Sequence, residues 1–351
     1  MKSAYVADLS ADQPVVTYFL VFSKEIRSSA AGNSWLQMEL GDRTGTVDGK
    51  MWRDYEQPAT TFDRDDVVKV QGRVKLYRGK LEISVDKIRR AEPEEYKIED
   101  LIPHTSENVD QLFASLQEHV AGVANPWLRR LLEAVLADPE VAGRLRRAPA
   151  AKSMHHAYVG GLLEHVVSLC GLCRAMSQHY HDVDADLLTA AAVLHDIGKL
   201  DELSYDRAVA YTTPGQLLGH IMIGYEYVSR RIDAIEGFPV ELKTLVQHLL
   251  ASHHGKLEFG SPKLPQFREA VLFNYLDELD SRMGAMRRAL DSPEGDGEWT
   301  GRAPALERRL LRVDRFLTGG KPQPGAQRPA QGGDHSQQLR LDKTKSANSK
   351  E

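Results

Sequence analysis

The sequence lacks the features that mark disulfide-rich and membrane-spanning proteins. It contains only two cysteines, Cys170 and Cys173, which is too few for a disulfide framework and typical of a reducing compartment. No apolar run approaches the ~20 residues that span a bilayer, and residues 1–10 lack the basic-then-apolar order of a signal peptide. These absences predict a cytoplasmic protein with no membrane partner.

The sequence also lacks an excess of basic over acidic residues. The formal net charge of −5 excludes a uniformly basic nucleic-acid binder, so any nucleic-acid surface must be a local patch. The hydrophobic fraction of 42% is ordinary for a globular protein. The length of 351 residues predicts two domains, on a prior of ~150 residues per domain.

Short, alternating apolar segments in the first quarter of the chain predict a small all-β domain. The candidate strands are separated by turns rich in Gly and Asp, and they span residues 15–23, 35–40, 46–52, 67–75 and 80–88. Five strands in this length predict an OB-type barrel over residues 1–92. Such barrels commonly bind single-stranded nucleic acid.

Positive charge within this domain is concentrated on the last predicted hairpin, because residues 67–90 contain eight basic and two acidic residues. Aromatic side chains beside such charge can stack on bases in a sequence-tolerant groove. The predicted nucleic-acid contacts are Trp35, Trp52, Lys75, Tyr77, Arg78 and Lys80. For the two tryptophans the alternative is a place in the barrel core, since Trp is usually well buried.

The apolar period changes from 2 to about 3.6 residues after a segment rich in Glu and Pro, residues 93–107, which we interpret as a linker. Residues 108–150 predict connecting helices and residues 151–318 an all-α domain, with a last helix over 305–317. Residues 319–351 have almost no large apolar side chains and are predicted to be disordered.

Residues 194–199 read LHDIGK, and they place His195 beside Asp196 at the end of an apolar run. A lone His on an apolar helix face is usually a core residue, but histidines and aspartates recur here on five successive predicted helices. Such a set predicts a metal centre. Its candidate ligands are His165, His195, Asp196, His220, His253, His254 and Asp277.

This donor set is suited to Mn²⁺, Fe²⁺, Co²⁺ or Zn²⁺, and a carboxylate such as Asp196 can bridge two ions. Two ions about 3.5 to 4 Å apart can bind the attacking and leaving oxygens of a phosphodiester, so the residues predict phosphoester hydrolysis. Asp280 lies three residues after Asp277 and is the alternative ligand. Cys170 and Cys173, three residues apart on an apolar helix, are predicted to be core thiols.

The LHDIGK string, with His165 upstream and Asp277 downstream, resembles the HD-domain metal phosphohydrolase superfamily. Four longer strings read MHHAYVGGLLEH at 154–165, LGHI at 218–221, SHHGKLEFGSP at 252–262 and LDELDSRM at 276–283. These strings resemble one family within that superfamily, the YhaM-type 3′-to-5′ exoribonucleases. The resemblance covers about residues 15–317.

The resemblance implies an OB fold joined to an HD domain, single-stranded RNA as substrate and nucleoside monophosphates released from the 3′ end. It implies one or two divalent ions, usually Mn²⁺, with Co²⁺, Fe²⁺ or Mg²⁺ as alternatives. Asp196 and Lys199 are the implied catalytic residues, with Lys199 facing the scissile phosphate. A related branch places a glutamate for a third metal where Gly161 stands here, so we expect two ions at most.

The matching strings also contain His155, His156 and Arg282, which we expect to contact phosphate or support the ligands. Two other functions are compatible with the sequence. One is a nucleotide or cyclic-dinucleotide phosphohydrolase, although no Gly-Tyr-Pro signature follows His254. The other is a single-stranded DNA- or RNA-binding protein with an idle or structural metal site. Single-stranded DNA is an alternative ligand, and the sequence is compatible with an oligomer.

Overall fold

The computed structural model describes residues 2–29, 32–77, 79–102, 104–105, 107–151, 158–204, 209–292 and 295–319. The first compact unit of the chain is Met1–Arg288, and a second begins at Ala289. Within the described ranges, none of the helices combines the length and the apolar character that crossing a membrane requires. The predicted tail lies outside these ranges from residue 320 onward.

The N-terminal part of the first unit is a closed barrel, as predicted. Its strands are β1 (Pro14–Ser28), β2 (Ser34–Asp42), β3 (Gly45–Met51), β4 (Val67–Tyr77) and β5 (Lys80–Arg90). They follow the order β1-β2-β3-β5-β4, and every pairing is antiparallel except β3 with β5. All five predicted strands are confirmed, and this topology agrees with an OB fold.

Alternation along the strands decides which side chains fill the barrel. Leu36, Met38 and Leu40 on β2 are fully buried, as are Val70 and Val74 on β4. Glu39 on β2 and Gln71 and Arg73 on β4 are exposed on the outside, because successive side chains of a strand lie on opposite faces. The outer face of β2 through β5 is therefore free to carry polar and aromatic groups.

The segment predicted to be a linker packs against the barrel. It forms two 3₁₀ turns, Pro93–Glu95 and Ile98–Asp100, and Leu101 and Ile102 are buried behind them. These two side chains share an apolar cluster with Tyr18 and other barrel residues. The connection is thereby held against the barrel over most of its length.

Helices make up most of the described residues that follow the barrel. They are α1 (Val109–Ala121), α2 (Pro126–Leu136), α3 (Pro139–Leu145), α4 (Gly161–His179), α5 (Ala185–Leu194), α6 (Lys199–Glu202), α7 (Thr213–Asp233), α8 (Val240–Ser252), α9 (Arg268–Asp291) and α10 (Val313–Leu317). Asn108, Asn125, Asp138 and Asp184 accept hydrogen bonds from the first-turn amides of α1, α2, α3 and α5, so these helix starts are fixed by capping side chains.

Helix α5 lies at the centre of the helical domain. Seven of its ten residues are buried, and they share one apolar core with residues of α1, α2, α4, α7, α8 and α9. Cys170 and Cys173 are free thiols in this core, as predicted. A short hairpin, β6 (Leu203–Ser204) with β7 (Ala210–Tyr211), follows α6 and is one of two local exceptions to the all-α prediction.

The prediction of one helix over residues 305–317 is wrong. Only Val313–Leu317 is α-helical, and a hairpin of β8 (Gly295–Asp296) with β9 (Trp299–Thr300) precedes it. The Thr300 amide donates to the Leu310 carbonyl, and the Arg312 amide donates to the Glu298 carbonyl. Residues 308–312 therefore pair with the hairpin, and their backbone groups cannot make helical hydrogen bonds as well.

Candidate metal centre

The end of α5 and the start of α6 place the LHDIGK residues against α7. His195 and Asp196 follow the last residue of α5, and Gly198 lies directly against the α7 backbone. A Cβ atom at Gly198 would lie 2.0 Å from the His220 carbonyl oxygen and 2.6 Å from the Gly224 nitrogen. Only glycine allows this approach, which brings His220 to the His195–Asp196 pair.

A first triad of possible ligands consists of His165 on α4, His195 after α5 and Asp277 on α9. Their ligand atoms lie within 4.8 Å of one another. Asp277 Oδ1 is 3.2 Å from His165 Nε2 and 3.9 Å from His195 Nε2. The two histidines are buried, so this half of the centre lies inside the protein.

A second triad consists of His220 on α7 with His253 and His254, which follow α8. Their ligand atoms also lie within 4.8 Å of one another. His253 is buried, whereas His254 and His220 are partly exposed. The second triad is therefore the more open half of the centre.

Asp196 lies between the two triads and faces both. Its Oδ2 atom is 3.2 Å from His195 Nε2, and its Oδ1 atom is 3.4 Å from His220 Nε2 and 3.9 Å from His253 Nε2. A carboxylate in this position can bridge two cations. The structure thus brings together all seven residues that the sequence suggested as candidate ligands.

Unsatisfied polar atoms in the centre fit a divalent cation. His195 Nε2, Asp196 Oδ1, His220 Nε2 and His253 Nε2 are buried and make no hydrogen bond to the described residues. Leaving a buried polar atom unsatisfied costs about 1–3 kcal/mol. Four such atoms converging from α5, α7 and α8 form a donor set of imidazoles and a carboxylate, which matches the chemistry of a transition-metal site.

The other ring nitrogen of each histidine has a hydrogen-bond acceptor. His195 Nδ1 donates to the Ala192 carbonyl at 3.1 Å, His253 Nδ1 to the Leu250 carbonyl at 2.8 Å, and His254 Nδ1 to the Phe259 carbonyl at 2.8 Å. These bonds select the tautomer that leaves Nε2 free to bind a metal.

Carboxylates hold the remaining two histidines. His165 Nδ1 donates to Asp280 at 2.7 Å, and Ser168 Oγ donates to the other oxygen of Asp280 at 2.6 Å. Glu202 accepts from both the amide and Nδ1 of His220, at 2.9 and 3.1 Å. Asp280 therefore orients a ligand, whereas Asp277 lies in the ligand cluster.

Ser168, Glu202 and Asp280 orient candidate ligands, a role that was not predicted from the sequence. Asp280 stands one helical turn after Asp277, and Ser168 one turn after His165, so the i+3 spacing could have indicated them. Glu202 lies in the four-residue helix α6, where no periodic pattern can develop. Its position becomes apparent only when α6 packs on α7.

Charges around Asp196 keep its carboxylate ionised. Burial alone would raise the pKa of Asp196, but His195 and Lys199 outweigh it and hold that pKa well below its usual range. Lys199 Nζ lies 2.6 Å from Asp196 Oδ2. Burial opposes the charge on this ammonium group too, yet Asp196 raises the pKa of Lys199 above its ordinary value. A fixed positive charge thus lies beside the possible bridging ligand.

His165 of the first triad and His253 of the second differ in their proton affinity. Burial would lower the pKa of His165, but Asp277 and Asp280 raise it to about 9. Burial lowers the pKa of His253 well below its ordinary value, and neighbouring His254 and His195 lower it further. His253 is therefore neutral, and a cation that binds His165 must displace a proton.

Comparison with known proteins agrees with both domains. The OB-fold nucleic acid binding domain matches residues 21–91, and the HD domain matches residues 162–282. The 3′-5′ exoribonuclease YhaM of Bacillus velezensis is 35% identical over 305 residues, which cover 87% of this chain and 96% of that protein. The Bacillus subtilis protein of the same name is 34% identical over 305 residues, which again cover 87% of this chain and 96% of that protein. The chain belongs to the YhaM 3′-5′ exoribonuclease family.

The OB domain of this YhaM-family chain carries outward-facing aromatic residues on β2, directly after β3 and at the end of β4. Trp35 and Trp52 lie together with ring centroids 5.0 Å apart, and Trp52 is 49% exposed. Neither contributes to the apolar core described for the barrel, so the core alternative is wrong for both. Tyr77 is 51% exposed at the β4–β5 hairpin.

Basic side chains accompany these aromatic residues. Lys75 and Lys80 are exposed on β4 and β5, and Lys50 on β3 places Nζ 4.8 Å from the Tyr77 ring centroid. Lys50 was not predicted, and it also forms an ion pair with Glu82. We call this surface the outer barrel face, and its residues are Trp35, Lys50, Trp52, Lys75, Tyr77 and Lys80.

Four of the residues predicted from the sequence belong to neither the metal centre nor the outer barrel face as the structure describes them. Arg78, His155 and His156 lie outside the described residues. Arg282 is exposed on α9, where its guanidinium group pairs with Glu278 at 2.6 Å. Its described partner is therefore a carboxylate one helical turn away.

Proposed function

We propose that this protein is a metal-dependent 3′-to-5′ exoribonuclease that hydrolyses single-stranded RNA and releases nucleoside monophosphates. The observation that carries this proposal is the buried centre in which two triads share Asp196. A centre of this composition suits phosphodiester hydrolysis. The names of the YhaM relatives support the substrate and the direction of digestion.

His165, His195, Asp277 and Asp196 would hold one divalent cation, and His220, His253 and His254 would hold a second together with Asp196. Bound there, such cations supply electrostatic stabilisation of the attacking and leaving oxygens. The nitrogen-rich second triad favours Mn²⁺, Fe²⁺ or Co²⁺ over Mg²⁺, which prefers oxygen ligands. We propose Mn²⁺ as the ion.

The protein's own groups position and neutralise the substrate. Lys199 stays protonated beside Asp196 and can place its positive charge against a non-bridging oxygen of the scissile phosphate. Glu202 and Asp280 fix the rings of His220 and His165, so the centre is organised before RNA arrives. Little reorganisation is then needed during the reaction.

The outer barrel face would bind the RNA strand upstream of the cleaved end. Exposed Trp52 and Tyr77 can stack on successive bases, and Lys50, Lys75 and Lys80 can attract the phosphate backbone. Stacking of this kind requires unpaired bases. It therefore favours single strands over duplexes, in agreement with an exonuclease that digests unstructured ends.

End-labelled RNA tests the proposed function. With 5′-labelled single-stranded RNA and Mn²⁺, the product should shorten stepwise, and chelation of the metal should stop the reaction. Internal cuts would refute the exonuclease assignment. Tight binding of RNA or DNA without hydrolysis under Mn²⁺, Co²⁺, Fe²⁺ or Mg²⁺ would indicate a binding protein. Hydrolysis of cyclic dinucleotides alone would indicate the other phosphohydrolase class.

A further inference from the structure

A short surface turn is attached directly to the open half of the metal centre. It comprises residues 256–261, and we call it the 256–261 turn. Its 3₁₀ segment is Leu257–Phe259, and the Ser261 amide donates back to the Lys256 carbonyl at 3.3 Å. The Phe259 carbonyl accepts the 2.8 Å hydrogen bond from His254 Nδ1. One hydrogen bond therefore separates this turn from a possible metal ligand.

The start of the turn is held firmly against α9. Gly255 has φ +72°, and a Cβ atom there would lie 2.4 Å from the side-chain oxygen of Asn274. The Asn274 side chain in turn donates to the His253 carbonyl at 2.8 Å. Close backbone packing and two hydrogen bonds thus fix the position of the 256–261 turn relative to the second triad.

The side chains of the turn are exposed, and they combine an aromatic ring with positive charge. Phe259 is 57% exposed, although burying a phenylalanine side chain typically yields about 1.5–3 kcal/mol. Lys256 Nζ lies 5.0 Å from the Phe259 ring centroid, and Lys256 also forms an exposed ion pair with Glu258 at 3.6 Å. Neither side chain contributes to the cores described for the helical domain.

An aromatic ring beside an ammonium group is the combination that binds a nucleotide without regard to its base. Every nucleobase has a flat face that can stack on a phenyl ring, and a lysine can pair with the adjoining phosphate. An enzyme that removes one nucleotide after another must accept all four bases at the same place. Stacking meets this requirement better than hydrogen bonds to base edges.

We infer that Phe259 and Lys256, two side chains of the 256–261 turn, bind the 3′-terminal nucleotide, with Phe259 stacked on its base and Lys256 beside its phosphate. This inference rests on the proposed function and adds the residues that hold the reacting end. Phe259 is a positioning residue here, because the reacting phosphate lies at the metal centre.

The test compares Phe259→Ala with Leu257→Ala, a matched control in the same turn whose side chain is 64% exposed. Two RNA oligonucleotides serve as substrates: one ends in a normal nucleoside, and the other lacks the base of its last residue. KM and kcat for the first cleavage are measured, and bound Mn²⁺ is quantified. The Phe259→Tyr variant keeps an aromatic ring and serves as the conservative rescue.

We expect Phe259→Ala to raise KM for the normal oligonucleotide by roughly 5- to 150-fold, the range for one aromatic–base stack. Its kcat and Mn²⁺ content should match those of the wild type, because the carbonyl that holds His254 is retained. The variant should no longer distinguish the two substrates, whereas Phe259→Tyr and Leu257→Ala should distinguish them as the wild type does.

Two results would overturn the inference while leaving the proposed function intact. In the first, Phe259→Ala keeps the full preference for the normal 3′ end. In the second, Phe259→Ala loses Mn²⁺, which would show that the turn acts only through His254. A wild-type protein that shortens neither oligonucleotide would refute both the proposed function and this inference.

Discussion

The metal centre and the outer barrel face obtain their side chains in opposite ways. The centre collects histidines and aspartates from α4, α5, α7, α8 and α9 and buries most of them. The outer barrel face takes aromatic and basic residues from neighbouring strands and leaves Trp52 and Tyr77 about half exposed. The first arrangement suits chemistry on a fixed phosphate, and the second suits reversible contact with a moving strand.

This difference sets how each region responds to mutation. A buried polar group that loses its partner is left without a hydrogen bond or a counter-charge. Substitutions in the metal centre should therefore have large effects on turnover, and the effects of neighbouring substitutions should not add. An exposed stacking residue contributes independently to the free energy of RNA binding. Substitutions on the outer barrel face should therefore weaken binding moderately and nearly additively. The distinction is tested by variants of the metal centre that should lose turnover but keep RNA affinity, and by variants of the outer barrel face that should do the opposite.

The largest effect is expected from Asp196→Asn, because the Asp196 carboxylate faces both triads. Turnover should fall on the order of 10³-fold or more, as for other residues of a catalytic unit. RNA affinity, measured by fluorescence anisotropy with a labelled oligonucleotide, should stay at the wild-type value. Because Lys199 would lose its buried partner, a thermal melt must establish that the variant is folded. Retained turnover would refute the bridging role.

Gly198→Ala should damage the centre through the backbone. Its new Cβ atom would meet the His220 carbonyl oxygen at 2.0 Å, which forces α7 away from the His195–Asp196 pair. Overpacking of this kind typically costs about 1–3 kcal/mol or more. Gly171→Ala is the matched control, because nothing lies within 4 Å of a Cβ atom at that α4 position. Urea denaturation compares the two; equal stability would contradict the close approach.

Glu202→Ala tests whether orienting groups matter as much as ligands. Without its carboxylate the His220 ring loses the acceptor of its Nδ1 proton, so affinity for one of the two cations should fall about 10- to 100-fold. Isothermal titration with Mn²⁺ measures this. Asp201→Asn changes the neighbouring exposed carboxylate and should titrate like the wild type. An unchanged titration of Glu202→Ala would show that His220 is held by other contacts.

The sequence was sufficient to predict the barrel and the set of candidate ligands that the fold brings together, for different reasons. The strands alternate with a period of two between glycine turns, so a local pattern determines both their number and their faces. The candidate ligands are recognisable because the imidazole and carboxylate groups of residues such as His195 and Asp196 can bind metal ions in any type of secondary structure. Resemblance to a family then supplied the substrate, which no local pattern contains.

Features that depend on the approach of distant segments could not be predicted in this way. Glu202 acts on His220 only because α6 packs on α7, and Lys50 reaches Tyr77 across β5. The predicted helix at 305–317 failed for the same reason, since Thr300 and Glu298 pair with backbone groups that a helix would need. In each instance tertiary contacts outweigh local preference.

Trp52→Ala tests the outer barrel face with a moderate expected effect. Losing one aromatic–base stack should weaken binding of a long oligonucleotide by about 1–3 kcal/mol. Turnover at saturating RNA should stay unchanged, because the metal centre is intact. Tyr180→Ala, which removes a similarly exposed aromatic side chain at the end of α4, should bind RNA like the wild type. An equal loss of RNA affinity in both variants would show that the outer barrel face does not bind the RNA.

The smallest effect is expected from the exposed lysines of the last hairpin. Lys75 and Lys80 lie on the outward surface of β4 and β5, where each can neutralise one backbone phosphate. Replacing either by alanine should reduce the slope of log K against log salt by about 0.7, the value for one single-strand contact. Lys243 on α8 already pairs with Asp233, so Lys243→Ala is the control that should leave the slope unchanged. If neither hairpin lysine alters the slope while Trp52→Ala still weakens binding, stacking alone holds the strand, and the charge concentrated in residues 67–90 serves another purpose.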